Sequence, residues 1–295
     1  MYKSGFVTVI GRPNVGKSTL INLFVGEKVS IISSKPQTTR NKIRSILSGD
    51  GFQIVFIDTP GIHKPTSKLG EYMVKTAENA MNEVDCILYM VEPRKASEAD
   101  KNIISRLRYV ASPVFLIINK IDTVEKSEIL SIIADYRRYY NFTEVFPISA
   151  LNAENTGELL SSIKNILPEG PQYFSPDSVT DQPERQIASE IIREKALYYL
   201  REEIPHGVAV GIESMKRREQ QELVDVEATV YCEKDSHKGI IIGKNGEMLK
   251  RIGSASRLDI ERLLGSPIFL QLWVKVKKDW RDSDFYLKNF GYNDN

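Results

Sequence analysis

Two cysteines in 295 residues, Cys86 and Cys232, are too few for a disulfide framework, and both lie inside apolar runs. Buried thiols in a reducing compartment are the expectation. The three histidines are scattered and add no metal-ligand spacing. An excess of one charge is missing too: 40 Lys and Arg stand against 39 Asp and Glu, a formal net charge of +1. Overall potential therefore cannot steer a polyanion, and any nucleic-acid binding needs a local basic patch. No apolar run approaches the ~20 residues of a membrane-spanning helix; Pro113-Val114-Phe115-Leu116-Ile117-Ile118 is typical of the longest. The start, from Met1 to Ile10, lacks the form of a secretory signal and runs straight into a strand and a glycine turn. A cytoplasmic protein, at most peripheral to a membrane, is expected.

What the chain does have is alternation. Short apolar runs at residues 6–10, 54–57, 86–91, 114–118 and 145–148 are separated by segments of helical period at 17–25, 71–82, 98–110, 127–139 and 156–167. Continuous apolar strands bounded by turn residues predict a mostly parallel sheet covered on both faces. Residues 43–47 add a strand that pairs back on 54–57 across Ser48-Gly49-Asp50-Gly51, an antiparallel hairpin. The fold class is α/β, a doubly wound sheet of six strands. Residues 167–183 are rich in proline and lose the period, which marks a linker. Beyond it, Ile187, Ile191, Ile192, Lys195, Tyr198 and Tyr199 share one helical face. Strand-like runs follow at 208–213 and 223–232, then two helices about Gly243–Gly246 and a last strand at 268–276. The order α-β-β-α-α-β describes one compact α+β domain. The division predicted is 1–170, a linker at 171–183, and 184–295.

Chemistry concentrates at strand ends. Gly11-Arg12-Pro13-Asn14-Val15-Gly16-Lys17-Ser18, followed by Thr19, has the G-x-x-x-x-G-K-[ST] pattern between a strand and a helix. Backbone N–H groups of such a loop wrap phosphate, the lysine supplies charge to the β- and γ-phosphates, and the serine hydroxyl ligates Mg²⁺. Asp58-Thr59-Pro60-Gly61, with Ile62 after it, ends the strand at 54–57; Asp58 is placed to hold Mg²⁺ through water, and the Gly61 N–H to meet the γ-phosphate. Asn119-Lys120-Ile121-Asp122 ends the strand at 114–118. The Asp122 carboxylate can accept from guanine N1–H and the exocyclic amine, whereas adenine would leave its lone pairs unmatched. Ser149-Ala150-Leu151 follows the next strand, with the Ala150 N–H within reach of guanine O6. All stand at carboxyl ends of strands, where open α/β sheets bind ligands. The ligands expected are GTP or GDP with Mg²⁺.

In the second domain, Ile242-Gly243-Lys244-Asn245-Gly246 joins two helical segments, with Ile240, Ile241, Leu249 and Ile252 at core spacing. Glycines at both ends of a short loop let a sugar-phosphate backbone approach, and the helix that follows favours anions. Residues 181–295 hold 19 basic against 20 acidic residues, yet Lys238, Lys244, Lys250, Arg251 and Arg257 cluster around the loop with Glu247 as the sole acid from 238 to 257. The stretch resembles the KH module, and the resemblance implies single-stranded RNA as the partner, with Lys238, Lys244, Lys250 and Arg251 joining the loop as expected contacts.

On these motifs the first part resembles the Ras-like, translation-factor-class P-loop GTPases, and the G-x-x-G stretch resembles the type II KH module. Together, and through the tail Trp273–Arg281, the chain resembles the Era family of bacterial GTPases. The resemblance makes Thr39, within Pro36-Gln37-Thr38-Thr39-Arg40, the switch threonine that ligates Mg²⁺, with Thr38 as the competing position. It implies binding near the 3′ end of 16S ribosomal RNA, assistance to assembly of the small (30S) subunit by a monomer, and partial peripheral association with the inner membrane. Ras-type proteins carry a glutamine where this chain has Ile62, so hydrolysis is expected to be slow in isolation. Asn14 resembles the asparagine of GTPases that bind K⁺ beside the phosphates; a solvent-facing loop residue is the other reading. Lys17, Thr39, Asn14 and Gly61 form the expected catalytic set.

Overall fold

The computed structural model describes residues 1–33, 35, 37–82, 84–219 and 221–292. Their contacts form two compact units. The first takes residues 1–32, 39–66 and 70–181; the second takes 182 onward together with the segments 33–38 and 67–69. Pro36 of the switch stretch lies outside the described residues.

The first unit runs β1 (Lys3–Gly11), α1 (Lys17–Val25), β2 (Ile43–Gly49), β3 (Phe52–Asp58), α2 (Lys68–Asn79), β4 (Cys86–Val91), α3 (Glu98–Leu107), β5 (Val114–Ile118), α4 (Lys126–Arg137), β6 (Glu144–Pro147) and α5 (Thr156–Ile166). Its sheet has the order β2-β3-β1-β4-β5-β6, parallel except for the β2–β3 hairpin. Because successive side chains point to opposite faces, β4 and β5 divide between two cores. Cys86, Leu88, Met90, Phe115 and Ile117 pack with Leu20 and Ile21 of α1 and Leu159 and Ile163 of α5. Ile87, Tyr89, Leu116 and Ile118 pack with Ala77 of α2, Ile103 and Ile104 of α3, and Ile132 and Tyr136 of α4. Each such aliphatic side chain contributes about 1.5–3 kcal/mol on burial. Double coverage is the reason these strands read as unbroken apolar runs, and it leaves the carboxyl-end loops as the open face.

Two details depart from the sequence reading. Helix α2 begins at Lys68 and ends at Asn79 rather than spanning 71–82. Gly70 in its first turn conceals the start, and buried Met81 carries the apolar period beyond the end into turns where Met81 N–H donates to Glu78 O. The proline-rich stretch is also no free tether before residue 181. Ser4 N–H donates to Pro168 O, Gly170 N–H to Tyr2 O, and Ile46 N–H of β2 to Val179 O. Buried Gln53 of β3 accepts from Tyr173 N–H (2.8 Å) and Phe174 N–H (3.0 Å) and donates to Phe174 O (2.9 Å). A single interior glutamine gives no periodic signal, so composition alone shows only a loop.

The second unit runs α6 (Glu184–Tyr199), β7 (Ala209–Arg217), β8 (Val224–Cys232), α7 (Asp235–Ile242), α8 (Glu247–Leu264), β9 (Ile268–Val276) and α9 (Asp284–Asn289). Strand β8 pairs antiparallel with β7 and parallel with β9. Val226, Ala228 and Val230 of β8 and Val274 of β9 face Ile191 and Ile192 of α6, Ile241 of α7 and Ile252 and Ile260 of α8. Helix α9 was not legible: it follows a basic stretch and is too short to show a period. It belongs to a tail anchored by Trp280, which is fully buried, donates its Nε1–H to Gly207 O (2.9 Å) and meets the rings of Phe290 and Tyr292. Among the described residues no helix is long and apolar enough to cross a membrane.

Candidate nucleotide site and nucleic-acid interface

Strand β1 ends at Gly11 and α1 begins at Lys17, with Gly16 as its N-cap at φ +108° and no side chain capping the helix. The first-turn N–H groups of α1 are therefore left to a ligand, and an anion suits them. A Cβ on Gly16 would stand 2.2 Å from Asn119 Nδ2, so only glycine passes there. Lys17 is buried and donates from Nζ to Arg12 O at 3.2 Å. Burial pushes its ammonium down to about 8, opposed by the charge of Asp58.

Three oxygens meet at the mouth of this loop. Ser18 Oγ donates to Asp58 Oδ2 (2.7 Å) and lies 3.1 Å from Thr39 Oγ1, which is itself 3.4 Å from Asp58 Oδ2. Asp58 is fully buried, its other oxygen Oδ1 has no hydrogen-bond partner among the described residues, and burial pushes its carboxyl up despite Lys17 and Ser18. A buried carboxylate oxygen without a donor, beside two hydroxyls, suits a hard cation such as Mg²⁺ that completes its shell with water and phosphate. Among the described residues no group of three or more His, Cys, Asp or Glu could hold a metal ion instead. The Thr38 hydroxyl is turned elsewhere and donates to Lys35 O at 2.6 Å.

Other members of the predicted set serve the scaffold. Thr59 Oγ1 donates to Val9 O (2.7 Å), and Ile62 donates its N–H to Gly11 O (3.0 Å) while its side chain joins the core under the sheet. Of that element, Asp58 and the Gly61 N–H are left to meet a ligand, while the Gly61 carbonyl lies 2.8 Å from His63 Nδ1. Arg12 points its guanidinium at the start of α3, 3.4 Å from Ser97 Oγ and 3.7 Å from Asp100 Oδ2. Asn14 is exposed at φ +65°.

At the carboxyl end of β5, Asn119 donates from Nδ2 to Val15 O (2.8 Å) and accepts from Ala150 N–H (2.9 Å) at Oδ1. The Ala150 N–H, expected to reach guanine O6, is thus given to Asn119, whose amide staples the phosphate loop to the loop after β6. Ser149 is buried and its Oγ accepts from Asn152 N–H, while Leu151 is largely exposed. Lys120, at φ +66°, places Nζ 2.8 Å from Asn14 O and 2.7 Å from Glu92 Oε1. Asp122 lies in a short turn, exposed and without a partner among the described residues, so its carboxylate is available.

In the second unit, Gly243 (φ +74°), Asn245 (φ +52°) and Gly246 (φ +78°) turn the chain from α7 into α8. The two glycines differ. A Cβ on Gly243 would press Met248 Cβ at 2.7 Å, whereas nothing lies within 4 Å of one on Gly246. Gly246 opens onto a groove of about 360 Å³ lined by Leu249, Lys250, Gly253, Ser254 and Arg257 of α8 and Leu270 and Leu272 of β9. The apolar floor and basic rim suit bases below and phosphates above. Lys244 and Asn245 are exposed at the loop tip, and Ile242 packs on the core. Arg251 lies off the groove, its guanidinium 4.5 Å over the Tyr199 ring, and Lys238 does not line it either. Arg257, Gly253 and Ser254 were absent from the predicted contacts. The spacing 246, 250, 253, 254, 257 follows one face of a helix and would have found them.

Comparison with known proteins adds the following. Residues 6–120 match the family described as 50S ribosome-binding GTPase, and residues 203–281 match the KH domain. GTPase Era of Clostridioides difficile is 58% identical over 296 residues, covering 100% of both chains. GTPase Era of Alkaliphilus metalliredigens is 56% identical with 99% of each covered. Among solved structures, Era in complex with MgGDPNP and nucleotides 1506–1542 of 16S ribosomal RNA superposes with a TM-score of 0.96 at 40% identity, covering 99% of each chain. A variant of Aquifex aeolicus Era bound to GDP·AlF₄⁻ gives 0.95 at 40% identity, covering 98% of this chain and 99% of that one.

Proposed function

The chain belongs to the GTPase Era family, and from that premise we propose that it is a GTP-hydrolysing switch that binds single-stranded RNA near the 3′ end of 16S ribosomal RNA and assists assembly of the small ribosomal subunit. The observation that carries this reading is the meeting of Ser18, Thr39 and Asp58 at the phosphate loop, in a chain whose Gly246 opens an unobstructed groove. Ser18, Thr39 and Asp58 are the residues that would hold Mg²⁺, which when bound neutralises charge between the β- and γ-phosphates. Lys17, held on Arg12 O here, moves its ammonium to the phosphates when GTP enters. Thr39 serves as the switch threonine, since the Thr38 hydroxyl is committed to its own turn. The Gly61 N–H would meet the γ-phosphate, and Asp122 would read guanine. We place the protein in the cytoplasm; peripheral contact with the inner membrane rests on family likeness alone. Filter binding tests the RNA half: RNA of the 16S 3′-terminal sequence should be retained well above a scrambled strand, and equal retention would overturn it.

With Ile62 in the core, no side chain at that position orients water. Asn14 is the residue we propose to recruit K⁺, which when bound offsets charge on the phosphates as an arginine finger does. Hydrolysis should run faster in K⁺ than in Na⁺ at constant ionic strength, and Asn14→Ala should erase the difference. Equal initial rates in the two salts would leave a partner-supplied group as the route.

A further inference from the structure

Glu92 follows the last residue of β4 and is neither a phosphate-loop residue nor part of a base-reading motif. Its Oε1 lies 2.7 Å from Lys120 Nζ, and the same Nζ donates to Asn14 O at 2.8 Å. Its Oε2 holds Arg94 at 2.9 Å. Lys120 itself leaves β5 in the left-handed region, so its side chain is aimed across the phosphate loop by a backbone turn rather than by packing. A lysine on a flexible four-carbon stem loses much rotamer freedom when fixed. One neutral carbonyl is a weak anchor for it; a carboxylate on the opposite side makes the position definite.

We propose that Glu92 is a positioning residue of the guanine-nucleotide site: it pins Lys120 over the Asn14 carbonyl, so that the lysine stem forms a fixed wall of the base slot before nucleotide arrives. The proposal rests on the guanine-nucleotide reading above. Glu92 touches neither Asp122 nor the Ser18–Asp58 group, so its effect falls on affinity for the nucleoside end, equally for GDP and GTP. The choice of base is left alone. The pair is about one-third exposed, Glu92 at 28% and Lys120 at 37%. Solvent screens such a pair, so a loss of roughly three- to tenfold in affinity is the expected scale.

The test is a double-mutant cycle on the full chain, with dissociation constants for GDP, GTP and XTP measured for each variant. Glu92→Ala should weaken both nucleotides by the same factor and leave the GTP-over-XTP preference unchanged. Glu92→Gln keeps the size and one acceptor oxygen and should fall between wild type and Glu92→Ala. In a Lys120→Ala background, Glu92→Ala should cost nothing further, a result that a merely structural role would not produce. Unchanged affinity in both Glu92 variants, or an equal loss with and without Lys120, overturns the proposal. If the wild-type chain fails to prefer GDP over ADP, the nucleotide reading itself is what fails.

Discussion

Asp122→Asn is expected to reverse base preference from guanine to xanthine. The Asp122 carboxylate is exposed and has no partner among the described residues. Only the ligand then satisfies it, and changing its donor–acceptor character changes the ligand without disturbing the protein. An amide can donate to the xanthine C2 carbonyl where the carboxylate accepts from the guanine amine. Mismatch leaves buried polar groups unpaired on both sides, which costs several kcal/mol, or about 10³-fold or more. Competition binding of GTP against XTP reads the effect directly. A mutant that still favours GTP would mean that another group reads the base, with the N–H groups after β6 the first to examine.

Gly246→Asp is expected to abolish binding to single-stranded RNA while leaving GTP affinity within about twofold. The left-handed φ of +78° at Gly246 costs an L-residue about 1–2 kcal/mol, and aspartate is among the side chains that tolerate it best. Nothing lies within 4 Å of the added Cβ, so the unit should stay folded. The carboxylate then stands at the mouth of the groove, among Lys250 and Arg257, where phosphate must come close. Gly243→Asp is the instructive contrast, because its Cβ would press Met248 and perturb the start of α8. Lys244→Ala should be milder: if it meets one phosphate, the slope of log K against log [salt] becomes shallower by roughly 0.7. RNA affinity retained by a folded Gly246→Asp protein would reduce the loop to a turn.

The sequence made the sheet legible because doubly covered strands must be apolar on both faces, and β4 and β5 advertise this in every residue. It made the phosphate loop legible because close backbone approach leaves glycine as the only choice at Gly16. Other features carry no such signature. The Asn119 staple between Val15 and Ala150 depends on where two loops arrive, and nothing local to position 150 shows that its N–H is already taken. The Gln53 clamp on residues 173–174 is one polar residue inside a strand. Arg251 looked equivalent to Lys250 because adjacent helix positions differ by 100° of azimuth rather than by composition. One faces the groove and the other Tyr199. Trp280 was noticed as a tail residue, while its bond to Gly207 joins positions 73 residues apart.

Sequencing of RNA crosslinked to the protein in cells tests the central claim most directly. Reads from the wild-type chain should gather at the 3′ end of the small-subunit ribosomal RNA and disappear from that region in Gly246→Asp. Reads spread across transcripts, or an unchanged 3′-end peak in the mutant, would contradict a G-x-x-G groove that seats this RNA.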